Sequence, residues 1–338
     1  MDPLRSDWFL SEVPGKPMGR YAHIIMLRVT DSYPLFQTDG ELNTARVSAG
    51  IRDRALMTRV TLFKRKQSTP ERLVGRELLR RYGFLSGDAA GDKKELGTDG
   101  LPICDYNVQF CTQCPDCITY GFAIGDAGSE KSKVITDTCY SLTAYDDSHQ
   151  TFTLNAPYED GTMTRHGEAT SRINEADHVQ PQVIFPAVIT ARDLTKNLFL
   201  YVLNNVLRTR RYGAQTTRTG RLQNRVLAIA LTDGEVFSNL SFTQHLYDSL
   251  SAAGKIVPAE PVDVDAVLSA AQELVPGLLQ ADSVVINQLL MGKELERLLA
   301  EVTALSADEA KMRALLDAAF ADSRAYHTAW IAKANKKR

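Results

Sequence analysis

Tyr21-Ala-His-Ile-Ile-Met-Leu-Arg-Val29 is nearly all apolar and is followed by turn residues. A short apolar run bounded in this way reads as a core strand. Gln182–Ala191 (Q-V-I-F-P-A-V-I-T-A) and Arg225–Leu231 (R-V-L-A-I-A-L) read as further core strands, and R-V-T-L-F-K at 59–64, V-I-T-D-T-C-Y-S-L at 134–142 and Q-T-F-T-L at 150–154 also have strand character. Between them lie helical patterns. One starts at Pro70 with Thr69 as its N-cap and carries Leu73, Glu77, Leu78 and Arg81 at helical spacing. Another runs from Leu194 to Arg211 with Leu198, Tyr201, Val202, Asn205 and Val206 on one face. From Phe242 onward the pattern is helical, with Leu289, Leu295, Leu298, Leu299, Val302 and Leu305 at steps that include three and four. The order lacks the regular βαβ alternation of a doubly wound sheet, so the fold class is α+β, a core with insertions and a helical C-terminal region.

The 338 residues are 44% hydrophobic and 24% charged, the composition of a soluble globular protein. No apolar run reaches the length of a membrane span, and no targeting segment is visible, so a cytoplasmic location is expected. The net charge of -2 conceals a segregation. Residues 46–81 hold eleven Lys/Arg against three acids, 192–225 hold eight against Asp193 alone, and 258–324 hold five against twelve. Two basic blocks and one acidic block suit a polyanion-binding face with a separate protein-facing region. The plainer reading is that solvated helices carry these charges for solubility.

All five cysteines fall in one short stretch: Cys104, Cys111, Cys114, Cys117 and Cys139. Four make C-x6-C-x2-C-x2-C, with Pro115 inside the tight C-P-D-C turn. Thiols at this spacing suit one soft ion with four tetrahedral ligands, for which structural zinc is the candidate. An odd count and the lack of a secretory segment weaken a disulfide reading. Cys139 lies in a strand-like stretch and reads as a core thiol, so it is the alternative ligand. His149, His166 and His178 are further nitrogen candidates.

Arg208-Thr-Arg-Arg-Tyr-Gly-Ala-Gln-Thr-Thr-Arg-Thr-Gly-Arg221 leads from a helix through a Gly-bounded loop into a strand. Small residues let the backbone approach a phosphate, while hydroxyls and guanidinium forks can meet its oxygens. A plain αβ connection with solubilising arginines is the alternative. Gly121, Gly125 and Gly128 lack the ending of a nucleotide loop and read as an ordinary loop. Asp39 and Glu41 flank Gly40 and are weak candidates for metal-assisted or base catalysis beside a bound backbone. The stretch 157–181 is polar and reads as a projecting hairpin or arm.

These pieces resemble a family. G-R-Y-A-H-I-I-M-L-R-V-T-D-S-Y-P-L-F-Q (19–37), N-T-A-R-V (43–47), the cysteine run followed by Y-G-F (120–122), S-K-V-I-T-D-T-C (132–139) and R-R-Y-G-A-Q-T-T-R-T-G-R-L (210–222) follow the order of RAMP-type CRISPR effector proteins. The chain most resembles the backbone subunit of the type I-D CRISPR interference complex. The resemblance implies an RRM-like (ferredoxin-like) core over 15–240, with a zinc-binding insertion at 84–140 and a β-hairpin thumb at 153–182, followed by a helical region at 241–335. It implies copies polymerising along a CRISPR RNA, with bases presented to a target DNA strand and other effector subunits as partners. The RNA-contacting candidates are then Arg20, Arg46, Arg52, Arg54, Arg59, Lys64, Arg210, Arg211, Thr216, Thr217, Arg218 and Arg221, with Met163, Arg165 and His166 on the thumb. Two other readings stay open: a metal-assisted nuclease using Asp39 or Glu41, and a stand-alone zinc-containing nucleic-acid-binding regulator.

Overall fold

The computed structural model describes residues 3–91, 94–123, 128–155, 158–159, 161–162, 164–165, 168–169 and 173–332. After an N-terminal segment that buries Leu4, Trp8 and Val13, the chain enters β1 (Tyr21–Thr30). A tight hairpin of β2 (Gln37–Thr38) and β3 (Glu41–Leu42) follows, then the antiparallel pair β4 (Thr44–Ser48) and β5 (Leu56–Leu62) and helix α1 (Lys64–Arg81). Next come α2 (Pro115–Tyr120), the paired β6 (Phe122–Ala123) and β7 (Ser129–Glu130), β8 (Val134–Thr136) and β9 (Cys139–Tyr140). β10 (His149–Asn155) and β13 (Ile173–Val179) form an antiparallel ribbon, and β11 (Thr164–Arg165) pairs with β12 (Glu168–Ala169) between them in sequence. β14 (Ile184–Arg192), α3 (Lys196–Arg208) and β15 (Leu222–Thr232) complete the core. The last elements are α4 (Asn239–Ala252), α5 (Val264–Ala281), β16 (Ile286–Leu290), α6 (Gly292–Ala307) and α7 (Glu309–Tyr326), followed by a π-helical turn.

The central sheet has the order β16-β15-β1-β14-β8, antiparallel at every pairing. Without the insertions, the chain order β1-α1-β8-β14-α3-β15 and the sheet order β15-β1-β14-β8 form a split βαβ pair, the ferredoxin-like arrangement. Strand β1 sits at the centre and shows why its sequence is an unbroken apolar run. Ala22, Ile24 and Met26 join one core cluster with Leu198, Val202 and Val206 of α3. Ile25, Leu27 and Val29 join a second with Phe242 and Leu246 of α4 and Val267, Ala271 and Val275 of α5. Both faces of the sheet are therefore covered. Arg28, the one cation in the strand, is fully buried and paired: it donates to Glu71 Oε1 of α1 at 2.9 Å and to Asn224 Oδ1 of β15 at 2.8 Å.

Three elements differ from the sequence reading. Helix α1 starts at Lys64, six residues before the expected Pro70, which lies inside it. Proline lacks the N–H that would bond the carbonyl four residues back. That carbonyl, Lys66 O, instead accepts from Gly213 N at 3.4 Å, so the helix defect becomes a docking point for the Gly-bounded loop. The stretch V-I-T-D-T-C-Y-S-L is two strands: β8 joins the central sheet and β9 pairs with β5. The break at Asp137 is held by Gln67 Nε2 (2.7 Å) and Asn239 Nδ2 (3.2 Å), both donating to its carbonyl. The region after 241 is not wholly helical, since β16 pairs with β15 at the sheet edge. Its helices divide between the faces, with α4 and α5 in the second cluster and α6 and α7 packed with α3 in the first.

Candidate functional site

The four Sγ atoms of Cys104, Cys111, Cys114 and Cys117 lie within 4.8 Å of one another. Cys104 Sγ is 3.8 Å from Cys114 Sγ and 3.6 Å from Cys117 Sγ. A tetrahedron with zinc–sulfur bonds of about 2.3 Å separates its sulfurs by about 3.8 Å, so these thiols fit such an ion. Pro115 starts α2 and Cys114 caps it, accepting from Cys117 N, which puts two ligands on one turn. Cys104, Cys114 and Cys117 are buried and Cys111 is half-buried, so the site is closed in the manner of structural metal sites. Hydrogen bonds from Cys111, Cys114 and Cys117 hold the Cys104 thiol far below the usual thiol range. Burial pushes the Cys114 thiol well up, and the bond with Cys104 does the same for Cys117. The alternative ligand Cys139 stands apart from this group. It is buried, its pKa is pushed up to about 12 by burial, and its Sγ lies against Gln67 Oε1 (3.2 Å) and Asn239 Nδ2 (3.4 Å). His149 and His178 are held at backbone carbonyls of Tyr145 and Ala176. His166 lies outside the described residues.

The sequence reading missed the cations around this cluster. Arg72, Arg76 and Arg80 stand four residues apart on α1 and face the cysteine lobe. Arg76 Nη1 donates to Cys104 Sγ at 3.2 Å and to its carbonyl at 3.0 Å, and Arg80 Nη2 donates to the same carbonyl at 3.1 Å. Arg72 forks onto both oxygens of Asp116 at 3.0 and 2.9 Å, and Arg76 Nε reaches Asp116 Oδ2 at 2.8 Å. Arg72 also donates to Gly121 O at 2.7 Å. The R-x3-R-x3-R spacing puts the three on one face of α1, and packing alone turns that face inward. Part of the first basic block thus serves Asp116 and Cys104, not an external polyanion.

Arg59 requires a correction. It was a candidate RNA contact, but it is fully buried and donates to the carbonyls of Ser141 (2.5 Å), Leu142 (2.6 Å) and Ala49 (2.5 Å). Burial lowers its pKa to about 10. It opens the run of four buried residues that ends β5. Arg20 is half-buried, donates to Trp8 O at 3.2 Å and lies over the Trp8 ring, so it fastens the N-terminal segment. Arg46, Arg52, Arg54 and Lys64 are exposed. The turn bearing Arg52 is held by Asp248 of α4, which accepts from Arg52 N at 2.7 Å and Asp53 N at 3.2 Å.

Arg210, Arg211, Thr216, Thr217, Arg218 and Arg221 are all exposed, so the structure brings these candidates together on one loop. The loop is pinned from beneath. Thr219 is buried, accepts from Leu35 N at 2.9 Å and donates to Tyr212 O at 2.8 Å. Ala214 N donates to Leu35 O at 2.7 Å and Gly220 N to Tyr33 O at 3.0 Å. Gly213 has φ +97°, and a Cβ there would run into the Leu35 carbonyl; at Gly220 it would meet the Tyr33 backbone. Arg211 donates to Thr219 O and so braces the loop as well. Tyr212 turns inward and donates to Glu71 Oε1 at 3.0 Å, tying the loop to the Arg28 pair.

The stretch 153–182, expected as the thumb, overlaps the β10–β13 ribbon. Its base is packed: Ala176, His178 and Val179 are buried, and Phe152 meets Tyr33 and His178 edge-on. Arg165 is in β11, while Met163 and His166 lie outside the described residues. Asp39 sits in the β2–β3 turn at φ +55°, and both it and Glu41 are exposed. Among the described residues, the metal-capable group is the cysteine cluster, and neither carboxylate belongs to it. No described helix is long and apolar enough to cross a membrane.

Fold and site together define an α+β protein with a ferredoxin-like core, a cluster of four thiols that could hold a metal ion, an antiparallel ribbon and an exposed arginine–threonine loop. A family model described as Csc2 Crispr matches residues 8–316, and the chain belongs to the Csc2 CRISPR family. Among solved structures it is similar to Csc2 of Thermofilum pendens, with 15% identity, TM-score 0.48, and coverage of 90% of this chain and 95% of that one. It is also similar to a chain of a CRISPR RNA-guided surveillance complex, with 11% identity, TM-score 0.46, and coverage of 89% and 98%. A chain of such a complex in a pre-nicking state gives 11% identity, TM-score 0.49, and coverage of 90% and 100%. No curated protein matches the chain.

Proposed function

We propose that this protein is the backbone subunit of a type I-D CRISPR interference complex. Copies polymerise along the spacer of a CRISPR RNA, hold its backbone without regard to sequence, and leave its bases free to pair with a target DNA strand. Membership of the Csc2 CRISPR family over residues 8–316 carries this reading. The exposed Arg210–Arg221 loop supports it, because guanidinium and hydroxyl donors on a pinned loop suit phosphate oxygens and read no base. Neighbouring copies and the other effector subunits are its partners, and the β10–β13 ribbon is its thumb. A heterologous contact between copies builds an open helix whose length the RNA sets. Zinc is the ion of the cysteine cluster. It ties the loop bearing Cys104 and Cys111 to α2, a structural role in a closed four-ligand site.

The test is particle mass on guides of two lengths, with analysis of the RNA that co-purifies. Mass should rise with guide length. Constant mass, or a fixed small oligomer on duplex DNA, would defeat the filament reading. Elemental analysis should find one zinc per chain, and a value well under one would defeat the zinc assignment.

A further inference from the structure

A slot of about 430 Å³ opens between α1 and the Gly-bounded loop. Pro70, Leu73, Val74 and Glu77 of α1 line it together with Thr209. Arg210, Arg211, Arg221 and Thr216 supply its other wall. The volume lies within the range of pockets that take a small organic molecule. Its chemistry is divided, with an aliphatic wall on the helix and three guanidinium groups and a hydroxyl on the loop. A phosphate alone would leave the aliphatic wall uncovered, and an apolar ligand would leave the arginines unanswered. A nucleotide meets both demands, with its base on the Leu73–Val74 surface and its phosphate at the arginines. Arginine planes also stack on bases.

Two further observations choose a strand over a free nucleotide. Thr217 and Arg218 are exposed on the same loop but do not line the slot, so the donors continue beyond one nucleotide. The sheet face on which RRM modules stack bases is closed here by α4 and α5, so a base held by the protein lies off that face. The wall is firm as well, since the Lys66 carbonyl freed by Pro70 holds Gly213 against α1.

We propose that this slot receives one nucleotide of the bound RNA strand, with the base against Leu73 and Val74, the phosphate among Arg210, Arg211 and Arg221, and Glu77 accepting a hydrogen bond from a base N–H. The proposal rests on the RNA-binding reading above and adds a base-receiving position to a backbone interface.

The experiment uses the full-length protein and short single-stranded RNAs that carry one abasic nucleotide at each position in turn. Removing the base at the slot position should weaken binding about tenfold, the scale of one lost stacking contact. Leu73→Asp should weaken intact RNA by a similar factor and bind intact and abasic RNA alike. Val74→Trp, which fills the slot with an apolar group, serves as a second variant if Leu73→Asp proves unstable. RNA carrying 4-thiouridine should crosslink to the peptide spanning 70–77. Equal binding of intact and abasic RNA at every position, with no crosslink on that peptide, would overturn the slot while leaving RNA binding in place. Failure to bind any single-stranded RNA would overturn both the slot and the proposed function.

Discussion

His23 lies at the centre of the sheet, with Nδ1 2.8 Å from Thr190 Oγ1 and Nε2 2.8 Å from Thr232 Oγ1. Burial lowers its pKa to about 4 from the ordinary 6.5. Between these values the unfolded chain binds a proton that the folded chain refuses. The contribution is therefore fully present above pH 6.5 and is lost as pH falls toward 4, amounting to about 3 kcal/mol at the low end. Urea unfolding over this window should show the loss, and His23→Gln should flatten it; parallel curves for both proteins would contradict the assignment. A second residue-scale contrast separates Arg59 from Arg218. Arg59→Ala strips three buried carbonyls of their donor and should cost stability of about 2–5 kcal/mol. Arg218→Ala should leave the unfolding midpoint in place and cost RNA binding about 1–3 kcal/mol. Glu296→Ala, on the exposed face of α6, should change RNA binding little. Equal effects on RNA from Arg218 and Glu296 would show that loop contacts are not responsible. Arg76→Met removes the cation at Cys104 Sγ and should weaken metal retention about 10–100-fold, measured by chelator competition.

At the scale of elements, the Gly-bounded loop and the ribbon make separable predictions. Gly213→Val places a β-branched residue at φ +97° against the Leu35 carbonyl, so the loop must shift. RNA affinity should drop while zinc content and the far-ultraviolet spectrum hold; unchanged affinity would mean that the loop position is immaterial. The polar arm at 157–181 carries few core residues by its sequence, and those the structure buries, Ala176, His178 and Val179, lie at its base, where Asp177 O accepts from Gln37 Nε2 at 2.9 Å. A deletion that spares the core must therefore leave Ala176, His178 and Val179 in place. Replacing 158–169 by a short turn should weaken assembly on RNA with no loss of metal or of cooperative unfolding. Full assembly by that variant would remove the ribbon from the proposed thumb role.

For the whole molecule, RNA on the proposed function lies off the two covered sheet faces. Exposed cations on β4, the 49–55 turn, the start of α1 and the 209–221 loop are the proposed track, with the acidic C-terminal region apart from them in sequence. Hydrogen exchange should show RNA-dependent protection at 44–66 and 209–221 but none confined to α4 and α5. Protection centred on α4 and α5 instead would mean that the RNA takes another route. Affinity should fall steeply with salt and vary little with sequence, as expected for backbone contacts.

What the sequence determined by itself was local. The apolar runs of β1, β14 and β15 marked the sheet, the cysteine spacing marked the four-thiol cluster, and Gly213 and Gly220 marked the loop, because each depends on neighbours a few residues away. Tertiary structure alone decided which basic residues face outward. Arg28, Arg59, Arg72 and Arg76 are cations like any others in the sequence, and only packing gave them Glu71, three backbone carbonyls, Asp116 and Cys104 as partners. Pro70 read as a helix start because a freed carbonyl usually ends a helix. Here Gly213 N, far along the chain, satisfies the freed Lys66 carbonyl. A buried polar group must find a partner wherever the fold supplies one, and such long-range pairing leaves no periodic trace in the chain.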